Sequence, residues 1–230
     1  MLGAFINCGA IIVGSVLGLL IGKYIKEVVF ACCGLITLVM GIQMAIVTAN
    51  ALGLLLALLL GGAIGYLLKI QDRVLALGER LGKATHHGEG ADVGTQRFAK
   101  GFLVASVLFC SGAMAVVGSI QAGTTGDLTT ILIKSVMDGA MAIVFASIYG
   151  VGVAFSSVCV LVYQAFFTLA GGFLQPILGE FGINELSAEG GVLLMMIGFD
   201  LLSIRSFKTA NFLPAMVFAP IFAHLLRVIL

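Results

Sequence analysis

The chain has 230 residues, 60% of them hydrophobic and only 10% charged. Soluble domains carry about a quarter charged residues, so this is the composition of a membrane protein, and a mean hydropathy of +1.18 leaves no room for an appended soluble domain or disordered tail. Twelve Lys and Arg against eleven Asp and Glu give a net charge of +1, which excludes bulk attraction to nucleic acid.

A bilayer core of about 30 Å needs about 20 helical residues, and eight apolar stretches of that order follow one another: 3–22, 28–47, 50–69, 98–120, 128–150, 155–178, 187–204 and 211–229. The predicted fold is an all-α transmembrane bundle of about eight spans, with seven spans plus a re-entrant segment as the alternative. The first stretch is apolar from its second residue with no basic segment ahead of it, which reads as a span rather than a cleaved signal. Cys8, Cys32, Cys33, Cys110 and Cys159 all fall inside apolar runs without C-x-x-C spacing, and are read as buried small hydrophobes.

Between the third and fourth stretches lies the one sizeable polar segment, 70–97. Val74, Leu75, Leu77 and Leu81 alternate there with Asp72, Arg73, Glu79 and Arg80, the pattern of an amphipathic surface helix. His86, His87, Glu89 and Asp92 follow in a glycine-rich stretch. Their spacing matches no metal-site geometry, so a solvated linker is expected and no metal.

Basic residues in short loops set orientation. Lys23 and Lys26, then Lys69, Arg73, Arg80, Lys83, Arg97 and Lys100, then Arg205 and Lys208 fall on one side of an eight-span path, ten of the twelve basic residues. That side is expected to face the cytoplasm and both termini to face outward.

Shifting the sequence by 157 positions superposes Gly14 on Gly171, Gly22 on Gly179, Gly34 on Gly191 and Gly41 on Gly198, four matches where about one is expected by chance. Asn7 falls on Gln164 and Gln43 on Asp200; after a four-residue insertion, Thr48-Ala49-Asn50 falls on Thr209-Ala210-Asn211. The expected organisation is a single integral membrane domain with a first repeat at 1–69, the polar segment at 70–97, central spans at 98–150 and a second repeat at 155–230. A displacement of five spans inverts the second unit, the architecture of many secondary transporters.

Gly14, Gly18 and Gly22 on the first stretch, with Gly53, Gly61 and Gly65 on the third, form small-residue ribbons that let helix backbones approach, within or between subunits. Two such ribbons on so small a chain suggest a homo-oligomer. Ionisable groups inside spans are costly and mark function by default. Lys134 and Asp138 share one face of the fifth stretch, Asp138 about 15 Å deep, and Gly139 beside it suggests a helix break there. Asp200 lies near the inner end of the seventh stretch, and Gln43, Ser111, Gln121 and Gln164 complete the candidate solute or ion pathway.

The strings FCSGAMAVVGSIQAG, GDLTTILIKSVMDG, GVGVAFSSVCVLVYQ and TANFLPA, with the opening MLGAFIN and GSVLGLLIGK, resemble the YqgA/YdfK-like family of bacterial inner-membrane proteins, the domain of unknown function 554. The resemblance covers essentially the whole chain. It implies a multi-spanning membrane protein, places the string around Lys134 and Asp138 within the family pattern, and brings no substrate or catalytic residue with it. The family pattern is expected to carry proline where Ala113 stands.

The function expected is transport of a small solute or ion, without a cofactor. The alternatives are an oligomeric channel and, third, an intramembrane enzyme, for which Ser111 and His224 offer only a nominal nucleophile and base. No G-x-S-x-G elbow, phosphate cradle or zinc signature is present in the sequence.

Overall fold

A computed structural model describes residues 1–21, 26–85 and 91–229. Its regular elements are helices: α1 (Leu2–Ile21), α2 (Lys26–Ala45), α3 (Ala51–Leu67), α4 (Ile70–Thr85), α5 (Ala91–Cys110), α6 (Ala113–Thr124), α7 (Thr129–Tyr149), α8 (Gly152–Leu201) and α9 (Ala215–Ile229), with a short 3-10 turn at Thr209–Phe212. The fold is all-α, as expected. Among the described residues, four helices are long and apolar enough to cross a membrane, and up to six spans result if each of two bent pairs, α3 with α4 and α5 with α6, counts as one.

That is fewer than the eight stretches expected, and the longest helix covers two of those stretches. As one straight rod, the 50 residues of α8 would extend about 75 Å, more than twice a bilayer core. Gly179, at φ 57° and ψ −176°, breaks it in a region of backbone space open almost only to glycine. Both ends of α8 return to the same stretch of α5. Gly152 sits against the Phe98 carbonyl, and Asp200 pairs with Lys100 at 3.0 Å. The two limbs, 152–178 and 180–201, therefore run antiparallel. The connection expected between the stretches ending at 178 and beginning at 187 shrinks to Gly179 alone. Its acids do not end the helix because Glu185 accepts hydrogen bonds from the Thr48 hydroxyl and the Ala49 N–H, both at 2.7 Å.

Neighbouring helices meet through their glycines. On α1, Gly14 faces the Gly139 carbonyl of α7 and Gly18 faces that of Ile143, the two helices running parallel. On α3, Gly53 lies on Ala223, Gly61 on Ala215 and Gly65 on the Asn211 carbonyl, antiparallel to α9 and its preceding turn. Two of the three α1 ribbon glycines and all three on α3 are thus spent inside the chain; Gly22 lies outside the described residues. Gly139 does not break α7, which runs unbroken from Thr129 to Tyr149. It is the flat spot on which Ala10 and Gly14 rest. A break falls instead at Ser111-Gly112 between α5 and α6, with a bend of 60°.

The polar segment is more helical than a linker. α4 leaves α3 at 54°, sets Gly78 and Gly82 against Ala99 and Phe98 of α5, and directs Val74 and Leu75 to the core. His86, His87 and Glu89 lie outside the described residues.

Basic groups gather at one end of the bundle. Arg97 donates to the carbonyls of Ile148 at 2.7 Å and Ser147 at 3.3 Å, the last turn of α7, where a cation suits the helix dipole. Lys208 lies 3.6 Å from Asp72, the Gln71 N–H donates to Asn211 Oδ1 at 2.8 Å, and the Ala210 N–H donates to Gln71 Oε1 at 3.2 Å. At the other end Asp127 accepts from the Thr129 N–H at 2.9 Å, and that bond holds its carboxyl below the usual carboxylate range.

Candidate functional site

Halfway along α7, Lys134 Nζ lies 2.6 Å from Asp138 Oδ2. Their spacing puts both on one helix face, and α1 covers that face so that they are only 5% and 7% exposed. Asn7, brought in by the close approach of α1, donates from Nδ2 to the same Asp138 oxygen at 2.9 Å. The carboxylate is therefore paired and hydrogen-bonded, as a buried charge must be. The Asn7 Oδ1 atom is buried beside it without a hydrogen-bond partner.

A cavity of about 250 Å³ opens beside the pair. Lys134 and Asp138 line it from α7, Gln43 from α2, Ser187 from α8 and Gly112 from the break between α5 and α6. The remaining wall is apolar and carries Met40, Met44, Met114, Met137 and Met141, five of the nine methionines in the chain. Thioether side chains are flexible and polarisable, and such a wall adapts to ligands of different shape.

The break has a specific form. α5 ends at Cys110 and α6 begins at Ala113. Gly112, at φ −80° and ψ 139°, is the residue before the first turn of α6 and supplies no side-chain cap. The first N–H groups of a helix have no intrahelical acceptor, and they favour negative charge. Ala113 is the first helical residue, the position that tolerates proline best, so the proline expected of the family there suits this break.

The other candidates disperse. Ser111 lies at the break but donates to the Leu108 carbonyl at 3.1 Å. Asp200 is bound to Lys100 at the basic end and is not part of the cavity wall. Gln121 accepts from the Thr130 hydroxyl at 2.8 Å near the far end of α6. Gln164 is fully buried on the first limb of α8 with neither amide atom partnered. His224 bonds the Pro220 carbonyl at 2.9 Å and stacks edge-on with Phe181 in a separate crevice at the Gly179 turn, where Arg227 lies over the Phe181 ring at 5.2 Å. Ser111 and His224 thus have separate partners and surroundings. Among the described residues no three His, Cys, Asp or Glu side chains group as metal ligands.

Sequence reasoning missed Asn7 as a partner of Asp138, the methionine wall, and two buried acids. Glu185 and Glu189 are both fully buried, and neither carboxyl oxygen of Glu189 has a hydrogen-bond partner. The signal for the acids was their i, i+4 spacing, which fits a continuing helix; the glycines around them had marked a loop.

The family model described as a protein of unknown function, DUF554, matches residues 2–224. The chain is 29% identical over 223 residues to the uncharacterized protein YqgA of Escherichia coli strain K12, covering 95% of this chain and 94% of that one. It is 27% identical over 230 residues to the uncharacterized membrane protein YdfK of Bacillus subtilis strain 168, covering 96% and 95%. No solved structure matches. A match of this extent, on a helical chain of this apolarity, makes the protein a member of the DUF554 family.

Proposed function

We propose that the protein is a multi-pass inner-membrane transporter of a small solute or ion, binding it in the cavity beside Lys134 and Asp138. The observation that carries this reading is a buried ion pair, halfway along a membrane helix, opening into a cavity against a broken helix. Discontinuous helices at mid-depth and intramembrane charges are the usual ingredients of such sites.

The proposed path has eight spans: α1, α2, α3, the broken α5–α6, α7, the two limbs of α8, and α9, with α4 along the inner surface. The antiparallel limbs of α8 support it, as does the gathering of Arg97, Lys100 and Lys208 at one end. By the positive-inside rule that end is cytoplasmic and both termini are outside.

The inverted repeat has a geometric argument in its favour. A methyl group built on Gly41 would lie 2.8 Å from the Gly191 carbonyl oxygen, and one on Gly198 would lie 3.2 Å from that of Gly34. The 157-residue shift exchanges Gly34 with Gly191 and Gly41 with Gly198, so it converts each contact into the other. That is the self-complementary contact a two-fold axis requires. Rocking of the two repeats about the α2–α8 contact would expose the cavity to alternate sides.

An oligomeric channel would need another association surface, since the ribbons face α7 and α9. Its signature would be conductance in planar bilayers without a gradient of a second ion. The transporter reading is tested in proteoliposomes containing a pH-sensitive dye and challenged in turn with amino acids, carboxylates, amines and sodium. Solute-dependent proton or sodium movement that is lost in Asp138→Asn is expected. Movement unaltered in that variant removes Asp138 from the mechanism.

A further inference from the structure

The chemistry of the cavity narrows the solute. Any ligand that touches Asp138 with a cationic group displaces Lys134, and any anionic ligand on Lys134 strips Asp138. A singly charged ligand therefore leaves one buried charge uncompensated in a low-dielectric wall, which is strongly unfavourable. A ligand carrying both charges replaces one ion pair by two and keeps the site neutral.

The surroundings supply a place for each end. Asp138 lines the cavity, and once Lys134 is released its carboxylate, held by the Asn7 amide, is the acceptor for an ammonium N–H. Gly112 brings the start of α6 into the cavity wall, where a carboxylate is favoured beside the released Lys134. The methionines accommodate an apolar remainder. At about 250 Å³ the cavity holds about eight waters at the ~30 Å³ each occupies in the liquid, and so a ligand of about that many non-hydrogen atoms.

We propose that the cavity binds a small apolar zwitterion of the α-amino-acid type, its ammonium on Asp138 and its carboxylate on Lys134 and the α6 N-terminus. This assignment rests on the transporter reading and names its substrate class. Binding opens the Lys134–Asp138 pair, so occupancy and the arrangement of α7 against α1 and α6 are linked.

The test is equilibrium binding to the purified full-length protein in detergent, with L-leucine, 4-methylpentanoate and 3-methylbutylamine as probes. The three share an apolar chain and differ in which charges they carry. Saturable L-leucine binding is expected, at least tenfold tighter than either singly charged analogue. Gly112→Leu should abolish it, because a Cβ at Gly112 meets nothing within 4 Å and the longer side chain grows into the cavity from a backbone any residue adopts. The doubly neutral Lys134→Met/Asp138→Asn variant, which leaves no lone buried charge, should also abolish it. L-leucine binding that survives in the double variant overturns the proposal. So does tighter binding of one singly charged analogue, which overturns the zwitterion and leaves transport standing. Binding by none of the three overturns it as well, while the flux assay judges transport independently.

Discussion

The Lys134 ammonium and the Asp138 carboxylate meet at 2.6 Å with their side chains 6% and 9% exposed, and the Asn7 amide donates to the same carboxylate oxygen that Lys134 contacts. Removing one partner of such a pair leaves the other charge buried, which costs about 3–5 kcal/mol, whereas removing both costs much less. Lys134→Met and Asp138→Asn should each lower the thermal unfolding midpoint in detergent more than the double variant does. A double variant less stable than either single one would contradict a mutually compensating pair.

Packing makes the glycines unequal. A methyl at Gly65 would collide with the Asn211 carbonyl, and one at Gly14 with that of Gly139, while Gly9 and Gly172 have open space around them. Gly65→Ala and Gly14→Ala should each destabilise by about 1–3 kcal/mol through forced backbone separation. Gly9→Ala and Gly172→Ala should be neutral. Monodispersity and unfolding midpoint by size-exclusion chromatography after heating distinguish the two groups, and equal effects at all four positions would sink the helix pairing described.

The two buried acids on the second limb of α8 also differ. Glu185 holds the α2–α3 turn through Thr48 and Ala49, and Glu189 one turn on has no hydrogen-bond partner. Glu185→Ala should cost about 1–3 kcal/mol, since it orphans two donors. Glu189→Gln should leave the midpoint unchanged or raise it. Unfolding midpoints of the two variants side by side check this, and the reverse order would place the partnering carboxyl at Glu189.

Topology is open to labelling. Thr125 lies in the α6–α7 connection at the end bearing Asp127, and Ile204 follows the last turn of α8 near Lys100. Thr125→Cys should react with an impermeant thiol reagent on intact cells, and Ile204→Cys only after permeabilisation. The opposite pattern would invert the proposed orientation.

The helical stretches and the basic end were legible because bilayer thickness and loop charge act on composition, which a sequence displays directly. So was the Lys134–Asp138 pair, since i, i+4 spacing fixes a shared face. The position of the break was not. Gly139 and Gly112 are both small residues within apolar runs, and only the partner decides their use: Gly139 receives α1, whereas nothing meets a Cβ at Gly112. Likewise Asp200 and Asp138 both interrupt apolar runs, and only the tertiary fold puts Lys100 within reach of the one and a cavity beside the other. Asn7 is about 130 residues from its partner, a distance no local pattern spans.

Transport requires the cavity to reach both sides of the membrane in turn. The measurement is labelling of Met137→Cys, in a background with the five native cysteines replaced, by a small impermeant thiol reagent applied from either face of oriented vesicles. Reaction from both faces, suppressed by L-leucine, is expected of an alternating-access site. Protection from both faces, with or without L-leucine, would mean that Lys134 and Asp138 form a sealed structural pair.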